Sequence, residues 1–224
     1  MVKFDNVSKK FGSIFALEDV SFEIKKGEFV FVTGASGAGK TTILRLLLRE
    51  FRPDSGRVFI ENKDIATLRS GEVPFYRRKI GFVFQDFKLL PDRTVFENVA
   101  LALEITGEAA NAKSRIIEVL KEVDLSERAN LFPRQLAGGE QQRTVIARAL
   151  VGNPKIILAD EPTGNLDPAT GKQIISLLDR ATQDGTTVIM ATHNENLVNS
   201  LKRRVIKLAK GKVVSDKISG KYEE

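Results

Sequence analysis

One stretch constrains the fold more than any other: Thr33-Gly34-Ala35-Ser36-Gly37-Ala38-Gly39-Lys40-Thr41-Thr42 fits the pattern G-x-x-x-x-G-K-[ST]. It follows the alternating run Glu28-Phe29-Val30-Phe31-Val32, which reads as a strand, and precedes a segment in which Ile43, Leu44, Leu47 and Leu48 recur at helical spacing. Strand, glycine loop and helix in that order are the context a phosphate-binding loop requires. Glycine lets the backbone turn tightly and bring its N–H groups against phosphate oxygens with no Cβ in the way. The following helix adds the positive end of its dipole. In such a loop Lys40 is expected to reach the β- and γ-phosphates and the Thr41 hydroxyl to ligate Mg²⁺, with Thr42 supporting the helix start. The plain alternative is a glycine-rich turn that matches by chance.

With 224 residues the chain can form one large domain, or a core with a subdomain, and bury a sizeable interior. The absence of cysteine excludes disulfides, thiolate zinc sites and thiol catalysis, and a single histidine argues against a His-based metal site. A net charge of +6 admits nucleic acid or an anionic membrane surface as partners. Basic residues cluster at Arg77-Arg78-Lys79 and Lys202-Arg203-Arg204, but a solvated face is the ordinary reading of such runs. Met1 to Asn6 lack the apolar region of a signal peptide, and no apolar run has a membrane span's length, so a soluble or peripheral protein is expected.

Along the chain, residues 2–7 and 17–24 alternate polar and apolar as half-buried antiparallel strands do. Phe11, in the intervening turn, could stack on a base or cover the edge of the core. Arg52-Pro53-Asp54-Ser55-Gly56 is a dense turn signal before the strand-like Arg57 to Ile60. Ile80 to Phe84 reads as another strand that runs out at Gln85, and in open α/β sheets ligands collect at the carboxyl ends of strands. From residue 86 to about 150 helical periodicity takes over, with Val95, Val99, Ala102 and Thr106 on one face of a first helix and Ile116, Ile117, Leu120 and Val123 on one face of a second.

Four further stretches carry polar chemistry. Leu136-Ala137-Gly138-Gly139-Glu140 precedes a helix and reads either as a second anion-ready N-terminus or as a packing turn. Lys155 to Ala159 is a continuous apolar strand ending in Asp160-Glu161, where Asp160 would coordinate Mg²⁺ and Glu161 accept a proton from attacking water; an N-cap role is the alternative for either acid. Asp167-Pro168 suits the N-cap and first turn of a helix. The strand Thr187 to Ala191 ends in Thr192-His193, on the same edge as the loop and the acids, where the imidazole can reach a γ-phosphate. Strand-like runs at 204–208 and 212–215 close the chain, and Lys221 to Glu224 are expected to be loose.

Together these residues resemble the ATP-binding cassette ATPases over nearly the whole chain. In that family Gly34 to Thr41 would be the Walker A segment, Gln85 the Q-loop residue and a further Mg²⁺ contact, and Leu136 to Glu140 the signature segment. Ile156 to Glu161 would be the Walker B strand, Asn165-Leu166-Asp167 the D-loop and His193 the switch histidine. Phe11 matches the aromatic that stacks on adenine. The resemblance implies an α/β P-loop NTPase fold in a single domain: a RecA-like core with an antiparallel β-subdomain (1–85 and 151–224) and a helical subdomain (86–150). It also implies an ATP-dependent, head-to-tail homodimer in which the signature segment of one subunit meets the γ-phosphate held by the other. Ala137 departs from the serine usual there, removing one hydroxyl donor, which should weaken closure or slow turnover.

Residues Phe84 to Val95 and Asp160 to Asp167 most resemble the cell-division branch of the family. That implies ATP and Mg²⁺ as ligands and an integral membrane partner of the FtsX type, docked near residues 85–96. It further implies peripheral attachment at the cytoplasmic face of the bacterial inner membrane, control of septal cell-wall hydrolysis, and no direct contact with nucleic acid. Lipoprotein-release and macrolide-export ATPases share the Asn165-Leu166-Asp167 loop and form the alternative. A soluble nucleic-acid-associated cassette protein is a more distant one.

Overall fold

The computed structural model describes residues 1–107 and 112–220. Two sheets organise them. A four-stranded antiparallel sheet has the order β2-β1-β4-β5, from β1 (Val2–Phe11), β2 (Ile14–Ile24), β4 (Ser55–Ile60) and β5 (Lys63–Asp64). A six-stranded sheet has the order β10-β9-β3-β8-β7-β6, from β3 (Phe29–Thr33), β6 (Ile80–Val83), β7 (Ile156–Asp160), β8 (Thr187–Ala191), β9 (Arg204–Ala209) and β10 (Lys212–Lys217). All its pairs are parallel except the β9–β10 hairpin.

The central strands of the larger sheet are apolar on both faces because both faces are covered. Phe29, Phe31, Ile157, Ala159, Val188 and Met190 point into one core. That core is closed by α3 (Val95–Thr106), α4 (Ala112–Glu122), α5 (Gly138–Leu150), α6 (Pro168–Gln183) and α7 (Glu195–Leu201). The alternate residues Val30, Val32, Ile156, Leu158, Ile189 and Ala191 point into a second core. There Ile43, Leu44, Leu46 and Leu47 of α1 (Lys40–Leu47) are sandwiched against Val2, Phe4, Val7 and Leu17 of the antiparallel sheet. The helix that follows the glycine loop is therefore clamped between two sheets.

Several expectations shift in detail. β1 runs on to Phe11 rather than stopping near residue 7, and its register slips at Phe4/Val7 and Val7/Lys9, which breaks the alternation used to read its length. In α3 the buried stripe is Val95, Val99 and Leu103, with Ala102 only half-buried; the side chain of Thr106 lies outside the described residues. In α4 Ile117 is 52% exposed and Val119 takes its place in the core. The closing strands end at Ala209 and Lys217, and the expectation for Lys221 to Glu224 falls outside the described residues. Between β5 and β6 a short helix, α2 (Val73–Arg77), stands where the sequence carried no clear period.

Helix α5 lies hard against the edge strand β6: a Cβ on Gly81 would stand 2.6 Å from the Ala149 carbonyl oxygen and 3.2 Å from its Cβ. Overpacking a contact of this kind costs about 1–3 kcal/mol. Gly81→Val is therefore expected to lower the free energy of unfolding by that amount, read as a lower urea midpoint, and an unchanged midpoint would show that the helix is free to back away.

Candidate functional site: a phosphate loop, two carboxylates and a histidine

The carboxyl ends of β3, β7 and β8 meet at one edge of the sheet, and the groups they carry surround a cavity of about 260 Å³ lined by Ala16, Ser36, Gly37, Gly39, Lys40, Thr41, Thr42, Gln85, Asp160 and Glu161. Gly39 starts α1 with φ 107°, a left-handed value, and a Cβ there would stand 2.5 Å from the Ala16 carbonyl oxygen, so glycine is required on both counts. The antiparallel sheet is pinned beside the loop: Gly211 N donates to Ala38 O at 3.2 Å, and Glu18 N to Gly211 O at 2.9 Å.

Lys40 is buried, and its ammonium donates to the carbonyls of Gly34 at 2.7 Å and Ala35 at 3.2 Å. It also stands 3.9 Å from Glu161 Oε1. The Thr41 hydroxyl donates to Asp160 Oδ1 at 3.2 Å. Burial pushes the Asp160 carboxyl above its ordinary range, with the nearby Glu161 charge acting the same way and the Thr41 hydrogen bond opposing it. A carboxylate in this position is stabilised by any cation brought next to it.

Glu161 ends β7 in the left-handed region, φ 47°, its N–H bonded to Ala191 O at 2.9 Å. Such backbone costs about 1–3 kcal/mol at a non-glycine residue and persists where the surroundings over-determine it. The twist brings Glu161 Oε1 to 2.7 Å from His193 Nδ1, while His193 N donates to Oε2 at 3.4 Å. An ionised Glu161 can only accept, so Nδ1 carries the proton of this bond. Gln85 stands at the end of β6, where a Cβ on Gly164 would lie 3.6 Å from its Nε2. The side-chain amide is therefore beside the loop that leaves Glu161.

The remaining predicted residues lie apart from the cavity. Phe11 ends β1, 46% exposed, with the ring of Phe51 set edge-on at 5.0 Å. Ala137 is the N-cap of α5, and Gly138 and Gly139 form its first turn. Glu140 reaches back to accept from Ala137 N at 2.9 Å and pairs with Arg128 at 2.8 Å; the Arg128 bond first, then the Ala137 N–H, hold its carboxyl below the usual range. Asp167 caps α6 by accepting from the N–H groups of Ala169 and Thr170, as Asp-Pro suggested, and Leu166 packs on the helical core. Two neighbours escaped sequence reasoning, Ala16 on the cavity wall and Phe51 behind Phe11, since only tertiary packing brings them in.

A family model described as ABC transporter matches residues 17–164. The cell division ATP-binding protein FtsE of Bacillus subtilis (strain 168) is 50% identical over 224 residues, covering 99% of this chain and 98% of its own length. FtsE of Mycobacterium tuberculosis (strain ATCC 25618 / H37Rv) is 49% identical, with 99% and 98% covered. Among solved structures, the dimeric post-hydrolysis state of the ATP-binding cassette MJ0796 bound to ADP and Pi superposes with a TM-score of 0.88 at 42% identity, covering 99% of this chain and 100% of that one. With these similarities running from end to end, the chain belongs to the ATP-binding cassette family, as an ATPase subunit.

Proposed function

We propose that this chain is the ATPase of a cell-division complex: it closes as a head-to-tail homodimer on ATP, opens on hydrolysis, and drives an FtsX-type integral membrane partner that controls septal cell-wall hydrolysis. It works peripherally, at the cytoplasmic face of the bacterial inner membrane. The near-full-length similarity to proteins named FtsE favours this branch over lipoprotein-release or macrolide-export relatives. The observation that carries the chemistry is the Lys40–Glu161–His193 cluster beside Thr41 and Asp160.

In this reading the N–H groups of Gly34 to Thr42 and the Lys40 ammonium cradle the β- and γ-phosphates, with Phe11 stacked on adenine. Glu161 accepts the proton of the attacking water, and His193 holds that carboxylate in place and reaches toward the γ-phosphate. Thr41, Asp160 and Gln85 would hold Mg²⁺: they offer hard oxygen donors on one cavity, and Asp160 is a half-buried carboxylate that a cation would stabilise. The ion, when bound, neutralises charge on the phosphate oxygens. The opposite wall is Ala137-Gly138-Gly139 of the second subunit, flanked by its Asn165-Leu166-Asp167 loop.

Glu161→Gln is expected to bind ATP, to lose turnover by about a hundredfold or more, and to accumulate as an ATP-bound dimer on size exclusion, whereas Lys40→Ala should lose nucleotide affinity. Normal hydrolysis by the Glu161 variant would remove it as the base. Ala137→Ser adds one donor to a charged acceptor, worth about 1.5–3 kcal/mol, so the ATP-driven dimer should tighten by roughly tenfold or more and turnover should rise. The same hydroxyl can cap α5, raising stability by about 1 kcal/mol. Equal dimerisation and rate in the two proteins would show that the hydroxyl has no role here. Purification from membranes should bring down an integral protein of the FtsX type, and recovery of a solute permease in its place would overturn the cell-division assignment.

A further inference from the structure

Immediately after Gln85 and Asp86 the backbone enters the left-handed region at two consecutive residues that carry side chains, Phe87 with φ 58° and Lys88 with φ 51°. Each is an unfavourable conformation for an L-residue, and whereas the other such pair, Glu61 and Asn62 with φ 50° and 65°, closes the β4–β5 hairpin, Phe87 and Lys88 lie in no hairpin that would set them. Both carbonyls of this pair are gripped by one side chain: Arg148 donates from Nη1 to Lys88 O at 2.8 Å and from Nη2 to Phe87 O at 3.1 Å. The planar guanidinium meets the two acceptors from two separate nitrogens held in a fixed fork, whereas an ammonium would have to reach both from one point on a flexible stem. Lys88 N also donates to Asp86 O at 2.6 Å, and the Phe87 ring packs on the helical core, while the Lys88–Asp86 ion pair at 2.6 Å has both side chains exposed, where such pairs contribute little.

Arg148 belongs to α5, the helix whose N-cap is Ala137, and it stands about three turns further along. At the residue next to Arg148, α5 is pressed on β6 through the Gly81–Ala149 contact, and β6 is the strand that delivers Gln85. We infer that Arg148 is a positioning residue that ties the loop carrying Gln85 to the signature helix, so that the place of Gln85 and the presentation of the Ala137-Gly138-Gly139 nest are set together. The inference rests on the reading of Gln85 and the nest as parts of the ATP site. Coupling of this kind is reciprocal: a partner that moves the 85–88 loop shifts the nest, and closure of the nest on a neighbour's nucleotide shifts the loop.

Amide exchange and dimerisation test the two halves of the inference separately. Arg148→Met should speed exchange at residues 86–90 about tenfold, and Arg148→Lys should do so less. Adding Lys88→Gly to Arg148→Met should recover threefold or more of that loss, because glycine takes the left-handed turn at little cost and leaves both carbonyls in place. In the Glu161→Gln background, Arg148→Met should weaken the ATP-driven dimer about tenfold and Lys88→Gly should restore part of it. Monomer affinity for ATP in the presence of EDTA should stay within twofold. Unchanged exchange overturns the clamp, and faster exchange without recovery by Lys88→Gly reduces Arg148 to a general packing residue. Altered exchange with an unaltered dimer overturns the coupling. If Glu161→Gln alone forms no dimer, the reading of the site fails instead, and exchange by itself decides the clamp. Should Arg148→Met not fold, Arg148→Lys carries both measurements.

Discussion

Helix α1 is held from two sides. Ile43, Leu44, Leu46 and Leu47 are almost fully buried between the β3–β8–β7 face of the larger sheet and the inner face of the antiparallel one. A glycine-rich loop by itself has many conformations, and ordering it into a nest of N–H groups costs entropy. Here both ends of the loop are immobile, one at the end of a central strand and the other on a helix that cannot move without opening a core. The two carboxylates and the cavity wall touch that fixed pair directly: Asp160 through the Thr41 hydroxyl, Glu161 through Lys40, and Ala16 through its close approach to Gly39. The antiparallel sheet thus shapes the phosphate site without contributing chemistry to it.

What was legible in the sequence follows from where the information is local. β3, β7 and β8 are buried on both faces, so their apolar runs are continuous, and the polar residues that end them stand out as soon as the strands are found. The N-cap role of Asp167 was readable for the same reason, since Asp-Pro before a helical run has one economical use. The length of β1 was not readable, because its register slips; nor was the exposure of Ile117, since helical periodicity places Ile117 and Val119 on the margins of one stripe and only packing decides between them. Arg148 carried no signal at all: an arginine amid a helical run looks like a solvated one until the carbonyls that it grips are located.

The site and its strain belong together. Glu161 in the left-handed region and a half-buried Asp160 both cost stability, and both stand at the cavity, where removal of the strain would also remove the geometry. Both are tolerable because Ile156 to Ala159 of β7, the strand that delivers them, are fully buried and cannot adjust. The Phe87–Lys88 turn, two residues past Gln85, is strained as well but lies off this cavity.

The departure at Ala137 then has a definite physical meaning. A serine at this N-cap would have two uses, a hydrogen bond to its own helix and a donor across the interface; alanine supplies neither. The helix start is kept by other means: Glu140 satisfies the Ala137 N–H and is itself held by Arg128. The first-turn N–H groups of Gly138 and Gly139 are main-chain donors, untouched by the substitution, and the helix dipole behind them is intact. On the proposed head-to-tail dimer, the trans wall of the nucleotide site would therefore be built from backbone alone. Its strength would then depend less on any side chain in the signature segment than on how firmly α5 is aimed, which makes two contacts from adjacent residues of its last turn, Arg148 on the Gln85 loop and Ala149 on Gly81, the places where the proposed closure would be set.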